Sequence, residues 1–448
     1  MNKIGILALK IKKHLNFTSL RKKLSETFRS IEDWRQSTKV THSIHDALMS
    51  GYAVMHFQDP SLLQFQLRMQ EEQHRNNLRT LFDVESIPKE SQMREIIDGV
   101  DNEHFRSIFK DFYMRLQRSK YLEQYQLFPN EYYFPIDGSQ FSSSEDIHCE
   151  QCLEKEHGSN HKNYSHQVLQ GGIMHPDMSE VIPFMPEQIC NIDGTDKQDC
   201  EINAGKRLIK KLRDDFMRLQ LIIGGDALFS KQPIIEEIIR YGMSYIFTVK
   251  PSDHKYLMEW IDAYDQLNTL EMKDTKGKIH IYEWMNDVPL NGRNDAIQVN
   301  FFRCKIMTID KEGEEKIAYK SSWVTDRLIT HDNISTLVKG ARCRWKNENE
   351  CFNVMKNHGY YMAHNYGHGK KNLAFNFYLL TLLAFFIHQI FELSDRHYQS
   401  CRKKFGSKRH LWEKLRAYID IIVFETWEQL LDFAFRPKAG LLTWAHAP

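Results

Sequence analysis

The stretch "EYYFPIDGSQF", residues 131–141, decides the fold, because the texture of the chain changes there. It is an aromatic, strand-like run that ends in Asp137-Gly138, a pair favoured at turns. Upstream, residues 1 to about 130 read as helices with charged faces, broken at "DPS" (59–61) and "SIPKES" (86–91), where serine and proline punctuate. Downstream, "HQVLQGGIMH" (166–175) and "EVIPFMPEQI" (180–189) are strand candidates joined by the Pro176-Asp177 turn, and the three runs predict a meander.

Next comes "GTDKQDCEINAGKRLIKKLRDDFMRL" (194–219), a long helix in which Thr195 and Gln198 make a capping box and Cys200, Ala204, Leu208, Leu212 and Phe216 share a face. A buried strand "LQLIIGGD" (219–226) follows, then a helix over 230–241, a strand "SYIFTVK" (244–250) and a helix over about 252–265. This order is α/β with a mixed sheet. Three alternating runs, "KIHIYEWMN", "IQVNFFRCKIMTI" and "KIAYKSSWVTD", predict an antiparallel β insertion between about 271 and 328.

The 448 residues leave room for two or three domains, and 42% hydrophobic with 27% charged residues is ordinary globular composition. Net charge is +1, so a nucleic-acid site has to come from local clustering. Eight scattered cysteines point to a reducing, intracellular compartment. The opening "MNKIGILALKIKKHLNF" has too short an apolar run for a signal peptide and fits a basic amphipathic helix. "LAFNFYLLTLLAFFIHQIFEL" (373–393) approaches membrane-spanning length, but Asn376, His388 and Gln389 within it predict a central buried helix.

In "RWKNENECFNVMKNHG" (344–359), an α-helical projection puts Trp345, Glu348, Phe352 and Met355 on one stripe and Glu350 on the other side. A carboxylate on an apolar stripe has to meet a cation, either Arg344 one turn earlier or a metal. Asp137 and Asp226 each close a predicted strand, where ligand sites of open α/β sheets collect. Singly, these acids read as a turn residue, a cap and an ion-pair partner. Together they form a set of hard oxygen ligands suited to Mg²⁺ or Mn²⁺, and two such ions serve phosphodiester displacement.

The element order over about 130–395 resembles the ribonuclease-H-like core of Asp-Asp-Glu transposases from bacterial insertion sequences, in the group with a β insertion between the second Asp and the Glu. The resemblance implies Asp137, Asp226 and Glu348 as the catalytic acids holding two Mg²⁺ (or Mn²⁺) ions. That group carries a Tyr-Arg-Glu-Lys signature. Arg344 occupies its Arg position, Ala341 stands in the Tyr position, and Met355 in the Lys position with Lys356 next to it. "ENE" with "HNYGHG" downstream is similar to a divergent subgroup with the same core. Arg344 and Lys356 are then expected to hold substrate phosphate. The implied organisation is a helical DNA-binding and dimerisation region (1–130), a core (131–270 and 329–395), the β insertion (271–328) and a basic C-terminal region (396–448). The implied activity is metal-dependent cleavage and strand transfer of element ends into target DNA, by a homodimer on DNA in the bacterial cytoplasm, associated with the nucleoid. A non-catalytic DNA-binding descendant and a nuclease without strand transfer are the alternatives.

The segment "HCEQCLEKEHGSNHKNYSHQ" (148–167) offers N and S ligands for a tetrahedral structural Zn²⁺ that clamps a loop beside Asp137. Cys149, Cys152, His157 and His166 are the chosen ligands, with His161 as the substitute. A redox Cys-x-x-Cys is disfavoured because no helix opens there. Basic clusters at "KIKKH" (10–14), "RKK" (21–23), "GHGKKN" (367–372) and "CRKKFGSKRH" (401–410) are candidate phosphate contacts, the last foremost. Trp284 and Trp323 are read as core residues in preference to base-stacking ones.

Overall fold

The structure, a computed structural model, describes residues 13–70, 76–157, 161–190, 198–264, 267–309, 315–363, 366–437 and 443–444. Twelve strands build one mixed sheet. They are β1 (Gln126–Phe128), β2 (Glu131–Ser144), β3 (Leu153–His157), β4 (His161–Ile173), β5 (Ile182–Pro183), β6 (Glu187–Ile189), β7 (Gln220–Gly225), β8 (Ser244–Thr248), β9 (Asn268–Lys273), β10 (Ile279–Pro289), β11 (Gln298–Ile309) and β12 (Glu315–Thr325). The main path runs β3-β4-β2-β7-β8-β12-β11-β10-β9, with β1 on β2 and both β5 and β6 on β4.

The pairing explains why each run is a strand. β2, β7 and β8 are parallel and their contact region is almost wholly buried (Tyr133, Phe134, Leu221 to Ile223, Tyr245 to Phe247), which a crossover-connected central strand requires. The two crossovers carry helices Glu201–Asp215 and Gln232–Arg240. On the other side of β2 the pairing is antiparallel, β2 with β4 and β4 with β6, so the expected meander forms. The β insertion joins the same sheet, because β12 pairs antiparallel with β8 through Trp323 to Thr325. Trp284 and Trp323 are 2% exposed, Trp323 stacked on Phe302 at 5.3 Å and Trp284 edge-on to His331 at 4.8 Å. They are core residues.

Helices cover the β2–β4 side. Leu373–Ser394 is long and apolar enough to cross a membrane, yet its most apolar window is entirely buried inside the fold. Its Asn376 meets the Ile97 and Val100 carbonyls at 2.8 and 2.9 Å, and Gln389 accepts from Val181 N at 3.1 Å. Those polar side chains serve packing within the protein. Against it lies Ile44–His56, in which every residue is buried, so this helix has no charged face, contrary to the expectation for the first 130 residues. His56 and His388 stack edge to face at 4.8 Å between the two helices, each bonded by a tyrosine hydroxyl, Tyr52 at 2.9 Å and Tyr360 at 2.6 Å.

Several local expectations are corrected. The helix expected from 194 starts at Glu201: residues 191–197, with Thr195, lie outside the described residues, and Gln198 bonds the backbone of Glu154 in place of capping a helix. The segment read as a loop with zinc ligands contains the β3–β4 hairpin. β9, polar and largely exposed, was not expected, because an edge strand need not show an apolar alternation.

Candidate active site and metal centre

Asp137 does not sit in a turn. β2 continues to Ser144, but its parallel partner β7 stops opposite Pro135, and beyond that point β2 pairs only with β4. Asp137 is therefore a mid-strand residue in a notch beyond the carboxyl end of β7, and Asp226, the residue after β7, lies at the same notch. Asp226 Oδ1 accepts from Leu228 N at 2.9 Å, which fixes its turn.

The segment carrying Glu348 departs from the expected geometry. Asn347–Phe352 is a π-helix, leading into an α-turn over Asn353–Asn357. A π-turn holds more residues than an α-turn, so the projection at 100° per residue loses phase. Trp345, expected on the buried stripe, is 48% exposed and Glu348 is exposed, whereas Lys346 (7%) and Asn347 (0%) turn inward. Phe352 and Met355 are buried as expected. Asn347 Nδ2 donates to the Gln170 carbonyl at 3.1 Å and to the Pro135 carbonyl at 3.5 Å, and Lys346 Nζ donates to the Met178 carbonyl. The Pro135 and Gln170 carbonyls flank Asp137, since Gln170 is its partner on β4. Asn347 thus pins the turn to β2 and β4, Lys346 ties it to the loop after β4, and Glu348 faces the notch.

Arg344 does not pair with Glu348. Its Nη1 contacts Asp137 Oδ2 at 3.3 Å. Burial pushes the Asp137 carboxyl up to about 6 against the pull of Arg344, and the charges of Asp226 and Glu348 add to the push. A fourth carboxylate belongs to the group. Glu201, in the first turn of its helix, is pushed up to about 7 by burial and then by Asp137 and Asp226. It reaches the notch because residue 138 is glycine: a Cβ there would stand 2.4 Å from the Glu201 carboxyl carbon. Glu201 was missed in the sequence, where the helix was expected to start earlier and so to carry Glu201 in its interior and not in its first turn. Lys356 lies over the Phe352 ring at 5.8 Å on the same segment.

The second cluster is tighter. Cys149, Cys152, His166 and His368 bring four ligand atoms within 4.8 Å of one another, the one His/Cys/Asp/Glu set among the described residues that does so. The separations are Sγ to Sγ 3.9 Å, His166 Nε2 to the two sulfurs 3.6 and 3.5 Å, His368 Nε2 to Cys152 Sγ 3.2 Å and Nε2 to Nε2 3.0 Å. Tetrahedral zinc, with bonds of ~2.3 Å to sulfur and ~2.0 Å to nitrogen, spaces its ligands about 3.8, 3.5 and 3.3 Å apart for these pairs. The cluster can bind a metal such as zinc. His368 Nδ1 donates to the Gly369 carbonyl at 3.1 Å, which leaves Nε2 bare for a metal. Of the expected ligands, Cys149, Cys152 and His166 are in the set and the fourth place belongs to His368. The side chains of His157 and His161 lie outside the described residues. His368 was missed because it stands 202 positions after His166, in the "GHGKKN" run read as a phosphate contact.

That run has another partner. Asp98 Oδ1 accepts from the amides of Lys370, Lys371, Asn372 and Leu373 at 2.9 to 3.2 Å, capping the buried helix with a carboxylate. In the "CRKKFGSKRH" run, Arg402 and Lys408 reach Glu392, Arg409 reaches Glu413, and Lys404 donates to the Ala434 and Phe435 carbonyls. "KIKKH" falls largely outside the described residues. No known family model and no curated protein matches the chain.

Proposed function

We propose that the chain is a DNA transposase of the Asp-Asp-Glu type with a ribonuclease-H-like core, cutting at the ends of an insertion sequence and joining them to target DNA. The observation that carries this reading is a group of acids coupled at the sheet notch: Asp226 and Glu348 raise the Asp137 carboxyl, and Asp137 and Asp226 raise that of Glu201, which lies against Gly138. Crowded like charges are costly, and proteins keep them where a cation or a proton relieves them. The strand order β4-β2-β7-β8, antiparallel on one side of β2 and parallel on the other, supports the ribonuclease-H-like assignment.

Mg²⁺ ions bound by these carboxylates would supply the charge that stabilises attacking and leaving oxygens in phosphodiester displacement. The chain's own residues do the rest. Arg344 partly offsets the charge of Asp137 and, once other positive charge serves that carboxylate, its fork is free for a substrate phosphate. Asn347 and Lys346 hold the Glu348 turn in place, and Lys356 lies on the same segment for the nucleic-acid backbone. The proposed working form is a homodimer on paired DNA ends in a bacterial cytoplasm. The Cys149, Cys152, His166 and His368 set is the proposed structural zinc centre.

The test is a joining assay with pre-cut and uncut duplex ends and Mg²⁺. The wild type is expected to yield products linked to a second duplex, and Glu348→Gln is expected to lose cutting while keeping DNA affinity. Cleavage without joining would replace transposition by nuclease activity, and a fully active Glu348→Gln would overturn the site.

A further inference from the structure

The loop that brings His368 to the metal set is held by a different part of the molecule. Arg94 Nε donates to the Tyr366 carbonyl at 2.7 Å, and the Asp98 carboxylate receives the amides of residues 370–373. Arg94 and Asp98 lie on one helix, Glu90–Asp98, of the N-terminal helical layer. Gly367 and Gly369, on either side of His368, have φ of +143° and +71°, and a Cβ at 369 would stand 2.3 Å from Asp98 Oδ1. The loop is therefore shaped to bond the helical layer on one flank and to present one imidazole on the other. The other three ligands come from the sheet side: Cys149 and Cys152 from the turn before β3, His166 from β4. A small cleft of about 20 Å³, lined by Phe141, Tyr366, Gly367, Phe377 and Tyr378, lies beside the loop.

We propose that this Cys₂His₂ centre is a zinc staple between the helical layer and the sheet, with the ion joining the loop gripped by Asp98 and Arg94 to the outer β3–β4 hairpin. The four donors are soft or borderline ligands at tetrahedral spacing, as zinc selects. The ion thereby closes a connection between residues about 200 positions apart, from the β3–β4 hairpin to a loop that follows the Glu348 segment. This inference does not depend on the transposase reading, and its test uses neither DNA nor catalysis.

The experiment measures zinc content of the full chain purified without added metal, then compares amide hydrogen exchange of the zinc-loaded and chelated protein. The expected result is one zinc per chain, with exchange rising at least tenfold on chelation both in 149–166 and in 366–373, and unchanged in Ile44–His56. Asp98→Ala keeps all four ligands, removes the acceptor of the 370–373 amides and is expected to weaken zinc about tenfold. His368→Ala is expected to lose stoichiometric zinc. Full zinc retention in His368→Ala would overturn the proposal, as would a chain that binds no zinc. Faster exchange confined to the Cys149–Cys152 turn, with 366–373 still protected, would overturn it too, and that wild-type measurement stands even if a variant does not fold.

Discussion

Replacing Asp137 by Asn should stabilise the metal-free protein, although it removes a proposed catalytic acid. Burial and neighbouring acids raise the Asp137 carboxyl from 3.8 to about 6, with its side chain 22% exposed. The folded state therefore holds the proton more tightly than the unfolded chain, and stability falls as pH rises from about 4 through about 6. At ~1.4 kcal/mol per pKa unit, the whole penalty is about 3 kcal/mol above pH 7 and under ~1 kcal/mol at pH 4. Asparagine mimics the neutral form and escapes it. For 448 residues an unfolding entropy of ~2 cal/mol/K per residue converts 3 kcal/mol into a Tm shift of about 3 °C. The assay is calorimetric melting of wild type and Asp137→Asn in chelator at pH 8 and pH 4, repeated at pH 8 with millimolar Mg²⁺. The variant should melt about 3 °C higher at pH 8 and nearly level at pH 4, and Mg²⁺ should raise the wild type more than the variant. A variant that melts at or below the wild type at pH 8 would refute the idea that the notch carries uncompensated negative charge.

Asn347→Ala should cost about 1–3 kcal/mol by leaving the Gln170 carbonyl without its side-chain donor, and should lower DNA cutting at least tenfold with affinity unchanged. Urea unfolding and a cleavage assay check it, and wild-type behaviour in both would remove Asn347 as a positioning residue. Gly138→Ala should displace the Glu201 carboxyl, the far end of a flexible side chain, at little cost in stability, and should bring its titration down from about 7 toward the ordinary carboxylate range. An NMR titration of the Glu201 carboxyl in wild type and variant checks it, and an unchanged titration would contradict the close approach. Burial holds His56 down to about 3, below its ordinary 6.5, so the unfolded chain binds protons first and stability falls as pH drops below 6.5. The loss is about 2 kcal/mol by pH 5, and urea midpoints of His56→Gln, which keeps a partner for Tyr52, should depend less on pH between 7 and 5.

Much of the α/β order was legible in the chain because central strands and amphipathic helices write their burial into residue spacing. β2, β7 and β8 announce themselves as apolar runs, and the helix Leu373–Ser394 declares its buried state by polar residues that only a protein interior would satisfy. Asp137, Asp226, Glu348, Cys149, Cys152 and His166 could be singled out because their types and flanking motifs limit what they do. Local pattern could not say which way Glu348 faces. A π-turn is stabilised by tertiary bonds, here from Asn347 to strand carbonyls and from Lys346 to the Met178 loop carbonyl, and these shift the phase that a projection assumes constant. Nor could it link His368 to His166, or Glu201 to Asp137, since those meetings depend on where a loop and a helix end lie after the sheet has formed. Spacing along the chain encodes which face is buried; which distant side chains share a site is set by packing, through contacts that leave no periodic mark on the sequence.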